Sequence, residues 1–285
     1  MPAKNYKADL VGVFGYPVSE NPTVVMIEAA FKTLKLNWRY LTVEVKPENL
    51  ADAMRALPAL GMRGINLTIP HKVEVVKYLD EISPNAELIG AVNTVVVRDG
   101  KLIGENTDGK GFLASLTGEG GFDPKGSRVA VLGAGGASRA ICFELALHGA
   151  KKIVIVNRNA ERGRSLAGEI SSKTHCEAEF ARWNEPYAVP AEIQALVNAT
   201  SIGLFPNVEE KPNVVYESIR SNMIVCDVIP NPPRTVFLRE AEKRGAAVLD
   251  GLGMLVNQGV IGFKLWTGLD APAAEMRSAL SREFS

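Results

Sequence analysis

A chain of 285 residues with 46% hydrophobic side chains is long enough for two ordinary domains and apolar enough to fill a core in each. Lys and Arg number 32, as do Asp and Glu, and the zero net charge argues against a nucleic-acid partner, which selects for a basic surface. Cys142, Cys176 and Cys226 are scattered without a C-x-x-C pair and read as buried free thiols in a reducing cytoplasm; no apolar run reaches the length of a membrane span, and the opening MPAKNYKADL lacks the hydrophobic stretch of a signal peptide.

In chain order, Leu10–Phe14 predicts a strand stopped by Gly15-Tyr16-Pro17. Met26, Ile27, Ala30 and Leu34 recur at helical spacing within a helix expected over Val24–Leu36. Trp38–Val45 alternates as a strand, Pro47–Leu57 reads as a helix and Pro58–Gly64 as a loop. Gly64–Ile69 reads as a strand closed by Pro70, followed by a helix over Val73–Leu79. Ala91–Arg98 and Lys101–Glu105 form an expected hairpin across Asp99-Gly100. This alternation of helices and strands predicts a mainly parallel α/β sheet for the first part of the chain. A short helix follows Asn106–Gly111, and the glycine-rich run Gly118–Gly126 leads into a second domain.

The second domain is organised by RVAVLGAGGASRAICFELALHGAKKIVIVNR, residues 128–158. An apolar strand, Val129–Leu132, enters the cluster Gly133, Gly135, Gly136, Ala137; a helical stretch, Ala140–Leu147, ends near Gly149; a second strand, Ile153–Val156, ends at Asn157-Arg158. Strand, glycine turn, helix and strand make one βαβ unit of the dinucleotide-binding kind. Gly133 permits the tight turn, Gly135 lets backbone approach a pyrophosphate, and the helix N-terminus offers N–H groups and a positive dipole end to it. Ser138 replaces the third glycine of G-x-G-x-x-G. An NAD site wants an acid at the end of the second strand, yet Asn157, Arg158 and Asn159 supply none. Arg158 and Arg162 are spaced to share a 2′-phosphate, whose oxygens suit the forked guanidinium donors, so the expected cofactor is NADP; two solvated surface arginines are the plainer alternative. Further strands are expected at Ala195–Asn198, Met223–Val228 and Ala246–Leu249, with helices over Thr235–Arg244, Met254–Leu265 and Ala273–Phe284.

Five polar clusters could carry chemistry. Lys72, in Asn66-Leu67-Thr68-Ile69-Pro70-His71-Lys72, falls in a first helical turn, where the dipole disfavours its charge and favours proton exchange; an ordinary exposed lysine is equally compatible with position alone. His71 reads as a packing residue. Asn93 in Gly90–Thr94 and Asp108 in Asn106–Gly109 suit either hydrogen bonding to a ligand or turns and caps. Thr200 and Ser201 follow a parallel strand, the place where open α/β sheets bind ligands, and favour cofactor contact. Gly251, Met254 and Gln258 open an apolar helix after Asp250.

Taken together, N-L-T-I-P-H-K, G-A-V-N-T, N-T-D-G, G-A-G-G-A-S-R-A, N-A-T-S-I-G and G-M-L-V-N-Q-G resemble the shikimate dehydrogenase family in kind and order over nearly the whole chain. The resemblance implies an α/β substrate-binding domain over residues 1–108, with the C-terminal helices of residues 255–285 packing back on it. It also implies a Rossmann-type NADP domain over residues 109–254 and a cleft between the two. It implies reversible, NADP-linked oxidation of shikimate to 3-dehydroshikimate in aromatic amino acid biosynthesis, by a cytoplasmic monomer or homodimer that uses no metal and engages neither nucleic acid nor membrane. Lys72 and Asp108 become the catalytic pair, Thr68, Asn93 and Gln258 hold substrate hydroxyls, and Gly251 and Met254 border the cofactor with Thr200 and Ser201. Related cyclic hydroxy acids such as quinate, or a sensor that binds without turnover, are the competing readings. The chain departs from the family in one region. The first loop of the family carries S-x-S-P, whose serines bind the substrate carboxylate, and here Asn21 and Thr23 occupy those positions, with Val24 on the proline. Ile27-Glu28 stands where His-Asn usually follows, and Pro230 replaces a tyrosine.

Overall fold

The computed structural model describes residues 6–284, which divide into two compact units. The first takes residues 6–107 and Gln258–Glu283; the second takes Asp108–Asn257.

The first unit runs β1 (Asp9–Gly15), α1 (Thr23–Thr33), β2 (Trp38–Glu44), α2 (Leu50–Ala59), β3 (Gly64–Leu67), α3 (His71–Glu74), β4 (Glu81–Ile82), α4 (Pro84–Ile89), β5 (Thr94–Arg98) and β6 (Lys101–Glu105). Its sheet has the order β2-β1-β3-β5-β6-β4. β1 pairs in parallel with β2 and β3, and β4 with β6, while β5 is antiparallel to both β3 and β6, so the sheet is mixed with three of its five pairings parallel. The cause is the hairpin: Asp99 and Gly100 both take positive φ, 52° and 77°, the twist that a two-residue turn needs to fold β6 back on β5. One face of the sheet closes on α2 through Phe14, Leu50, Met54, Leu57, Ile65, Leu67 and Val95. On α1 the buried residues Met26, Ile27, Ala30 and Phe31 repeat at the spacing that keeps one helical face inward.

The second unit runs α5 (Asp108–Gly118), β7 (Arg128–Leu132), α6 (Gly136–Leu147), β8 (Lys152–Asn157), α7 (Ala160–Lys173), β9 (Glu177–Arg182), β10 (Ala195–Asn198), β11 (Ile224–Asp227), α8 (Val236–Glu242), β12 (Ala247–Leu249) and α9 (Gly251–Thr267). Its six strands are all parallel, in the order β12-β11-β10-β7-β8-β9. Strands buried on both faces must be continuously apolar, as β10 (Ala-Leu-Val-Asn) is throughout its buried length before the terminal Asn198. Strand order reverses between β7 and β10, which opens a crevice at their C-terminal ends, the usual ligand position of such sheets. α9 ends within the first unit, where α10 (Ala273–Glu283) packs on α1.

Several expected boundaries move. Pro58 stays inside α2, because so close to the helix end its missing N–H removes only one bond. α3 starts at His71, with Pro70 at its cap, and gives way to a 3₁₀ turn over Val75–Tyr78 in place of a helix over Val73–Leu79. The strand expected from Ala91 begins at Thr94, since the Val92 N–H is spent on the Lys72 carbonyl at 2.7 Å. Among the described residues no helix is long and apolar enough to cross a membrane, and Cys142, Cys176 and Cys226 are free and buried.

Candidate active site

In the first unit, the C-terminal ends of β1 and β3 bring two loops together. The Tyr16 N–H donates to the Ile69 carbonyl at 2.9 Å and the Thr68 N–H to the Phe14 carbonyl at 2.9 Å. Thr68 thereby lies beside the loop that carries Asn21 and Thr23. The Val92 bond to Lys72, with the Leu67 N–H donating to the Asn93 carbonyl at 2.8 Å, sets Asn93 against the same turn. Lys72 is half-buried at the second position of α3, a helix of four residues. That helix is too short to develop the dipole that the sequence reading invoked. His71 is buried and its Nε2 lies 2.7 Å from the Val45 carbonyl, a packing role.

Behind these residues runs a chain of buried side chains. The Tyr40 hydroxyl donates to Asn66 Oδ1 at 2.7 Å, and Asn66 Nδ2 donates to the Asn93 carbonyl at 3.1 Å and to Thr94 Oγ1 at 3.0 Å. Asn93 Nδ2 donates to Thr107 Oγ1 at 2.9 Å, and its Oδ1 accepts from the Thr107 N–H at 2.7 Å. Thr107 Oγ1 lies 3.4 Å from Gln258 Oε1. Burial holds the Tyr40 phenol well above its ordinary pKa. Thr23, Tyr40, Asn66, Asn93, Thr94, Thr107 and Gln258 are each at most 7% exposed. Asn21 lies just before α1, and its Oδ1 accepts from the Thr23 N–H at 3.0 Å. Sequence reading singled out Thr23, Thr68, Asn93 and Gln258 but missed Tyr40, which carries no motif; only its place on an otherwise exposed strand marks it. Asp108 follows Thr107 directly, opens α5 in the second unit, and is 5% exposed.

In the second unit, Gly133 takes φ +110°, which β-carbon-bearing residues avoid, and a Cβ there would lie 3.1 Å from the Ala199 carbonyl oxygen. The glycine loop and the turn at residues 199–201 are therefore neighbours. Gly135 caps α6 in an extended conformation with open space on its Cβ side, and the unpaired N–H groups of Gly136 and Ala137 begin the helix. Ser138 does more than fill the third glycine position: its buried hydroxyl donates to the Gly133 carbonyl at 2.7 Å and fixes the turn. Thr200 N–H and Oγ1–H both donate to Asn198 Oδ1, at 3.2 and 2.7 Å, leaving Ser201 exposed. Asn198 in turn donates to Asp227 Oδ1 at 3.1 Å. Asp227, 2% exposed, also accepts from Thr235 and the Ile229 N–H; burial nevertheless lifts its pKa to about 6.

At the end of β8, Asn157 Nδ2 donates to the Asn159 carbonyl at 2.9 Å, and Asn159 Oδ1 accepts from the Arg162 N–H at 3.0 Å to cap α7. Arg158 and Arg162 are both exposed. Arg158 borders a cavity of about 280 Å³ shared with Trp183, Asn184, Ile202, Lys211 and Asn213. Of these the sequence reading had named Arg158, and Ile202 within N-A-T-S-I-G; Trp183, Asn184, Lys211 and Asn213 come from loops whose proximity depends on the sheet order. The turn, the free helix N-terminus and a cavity with two cations fit a dinucleotide bearing an extra phosphate. Gly251 packs flush on the loop that follows β11, where a Cβ would meet the Ile229 carbonyl oxygen at 2.4 Å, and Met254 is buried near the start of the same helix. Among the described residues no group of three or more His, Cys, Asp or Glu is placed to hold a metal.

Residues 13–95 match the shikimate dehydrogenase substrate binding domain, residues 117–229 the shikimate / quinate 5-dehydrogenase domain, and residues 251–280 the shikimate 5′-dehydrogenase C-terminal domain. The chain is 46% identical to a shikimate dehydrogenase (NADP(+)) of Methanopyrus kandleri, over 96% of this chain and 95% of that one. A crystal structure of a shikimate dehydrogenase in complex with NADP+ superposes with a TM-score of 0.91 at 41% identity, covering 99% of this chain and 97% of the other. The ligand-free 5-ketofructose reductase of Gluconobacter sp. strain CHM43 superposes with a TM-score of 0.90 at 48% identity, covering 98% of this chain and 100% of the other.

Proposed function

The chain belongs to the shikimate dehydrogenase family, and on that footing we propose that it is an NADP-dependent oxidoreductase acting on a CH–OH group, interconverting shikimate and 3-dehydroshikimate. One observation carries the reading: a half-buried lysine on the β3–α3 turn adjoins a wall of hydroxyl and amide side chains, in a chain whose second unit carries a dinucleotide cradle. Thr68, Asn93 and Gln258 bind substrate hydroxyls, with Asn21 and Thr23 at the loop that differs from the family. Lys72 exchanges the proton of the reacting hydroxyl, with Asp108 as the second member of the catalytic pair. Gly133, Gly135, Gly136 and Ala137 hold the pyrophosphate, Thr200, Ser201, Gly251 and Met254 border the ribose and nicotinamide, and Arg158 with Arg162 and Asn157 holds the 2′-phosphate. NADP, when bound, supplies or accepts the hydride. Three free buried thiols suit a reducing cytoplasm.

The test is spectrophotometric. Full-length protein should reduce NADP+ in the presence of shikimate, and NADP+ should bind more tightly than NAD+. Arg158→Asp should reverse that preference, because it exchanges a phosphate donor for an acceptor of ribose hydroxyls. Tighter binding of NAD+ by the wild type would overturn the assignment of the β8 end.

A further inference from the structure

We infer, on the footing that the second unit binds NADP as proposed, that Lys211 supplies a further cation to the 2′-phosphate. Recognition of that group is then shared between the end of β8 and the loop that follows β10, and Lys211 adds to the preference for NADP over NAD.

Arg158 and Lys211 stand far apart in the chain, yet both border the cavity of about 280 Å³. Its remaining lining, Trp183, Asn184, Ile202 and Asn213, carries no charge, and Arg162 lies outside it. Both cations are exposed, and among the described residues neither enters an ion pair. Two like charges on one cavity repel each other, and an anion between them relieves that repulsion. A phosphate monoester brings a charge of about −2 and three acceptor oxygens, enough for two cations at once. The ribose hydroxyl of NAD brings no charge to the same place. Glu240 is the carboxylate that competes for Lys211, whose charge favours its ionisation. Its oxygens are taken by Lys243 at 2.8 Å and Arg244 at 3.1 Å.

A lysine on a loose loop would lose in ordering much of what its charge contributes. This loop is tied down on both sides of Lys211. The Phe205 N–H donates to the Asn231 carbonyl at 3.0 Å, and the Glu210 N–H to the Asn207 carbonyl at 3.1 Å. The Tyr216 hydroxyl donates to the Pro212 carbonyl at 2.9 Å. The Asn213 carbonyl accepts from the Trp183 indole and from the Tyr187 N–H, each at 2.9 Å. Lys211 Nζ itself lies 4.6 Å from the centre of the buried Tyr216 ring. That contact steadies the ammonium and leaves it N–H donors for an anion.

The test is calorimetric binding to the full-length protein, with NADP+, NAD+, adenosine 2′,5′-bisphosphate and 5′-AMP as probes. Lys211→Met keeps the length of the side chain and removes its charge. Its affinity for NADP+ and for the bisphosphate should fall about tenfold, while NAD+ and 5′-AMP stay within about twofold of the wild type. Lys211→Arg should hold NADP+ affinity within about threefold. A merely structural lysine would loosen all four probes together, and that result overturns the inference. So does unchanged NADP+ affinity in Lys211→Met when Arg158→Ala loses it, an outcome that leaves the cofactor reading standing. A wild type that binds NAD+ more tightly than NADP+ removes both. Ionic strength gives a second readout: added salt should weaken NADP+ more than NAD+, and Lys211→Met should narrow that difference. An undiminished difference counts against contact between Lys211 and the phosphate.

Discussion

Lys72 and Asp108 are asked to do the chemistry, and each is held by a different device. Lys72 is placed by its own backbone, whose carbonyl accepts from Val92, while Asp108 is buried where α5 begins. Replacing either by alanine removes a group and leaves its supports in place. Turnover in Lys72→Ala and in Asp108→Ala should drop by about 10²-fold or more, the usual cost of a lost general acid–base group. NADP+ affinity, read by cofactor fluorescence, should change little, because neither side chain belongs to the nucleotide motif. Near-normal turnover in Lys72→Ala would take the lysine out of the mechanism. The same scale shows what sequence could not reveal. Asn93 announces itself within G-A-V-N-T, whereas Tyr40 sits in an exposed alternating strand, and its importance depends on a partner 26 residues away.

At the scale of elements, legibility followed apolar content. The strands β7, β8, β10 and β11 are continuous apolar runs and were read within a residue or two. α7 and β9 were missed. α7 buries only Gly163, Leu166, Ala167 and Ile170 under an otherwise polar face, and β9 is an edge strand, half exposed, that reads Glu-Ala-Glu-Phe-Ala-Arg. α4 is six residues long and exists because Ser83 caps it, Pro84 suits its first turn and Gly90 closes it at φ +70°. Asp227 joins elements that no local pattern connects: β10 through Asn198, and the start of α8 through Thr235. Its pKa of about 6 exceeds the ordinary 3.8, so the native state keeps a proton that the unfolded chain has released between these values. Stability attributable to this residue is unaffected below about pH 4, falls as pH rises towards 6, and stays at the lower level above. Chemical denaturation of the wild type and Asp227→Asn at pH 4, 5, 6 and 7 should show the wild type losing about 1–3 kcal/mol relative to the variant over that window. A constant difference would mean that Asp227 titrates normally in the fold.

On the scale of the whole molecule, the second unit is an insertion into the first: the chain leaves the first unit after Thr107 and returns at Gln258. Order of synthesis then differs from order of completion. As the nascent chain emerges, all six strands of the second sheet become available before the first unit has its last helices. Until α9 and α10 arrive, Phe31 lacks its ring contact with Phe263 at 5.6 Å, Trp266 is absent from the Val95 carbonyl that its indole reaches at 3.1 Å, and α1 has no cover from α10. The earliest-made third of the protein thus waits on the ribosome with apolar surface bare, a state that invites aggregation or a chaperone. A chain stopped after Asn257 should reproduce that state. It should retain NADP+ affinity through its second unit while binding a hydrophobic dye strongly, and supplying Gln258–Glu283 as a separate peptide should quench the dye signal.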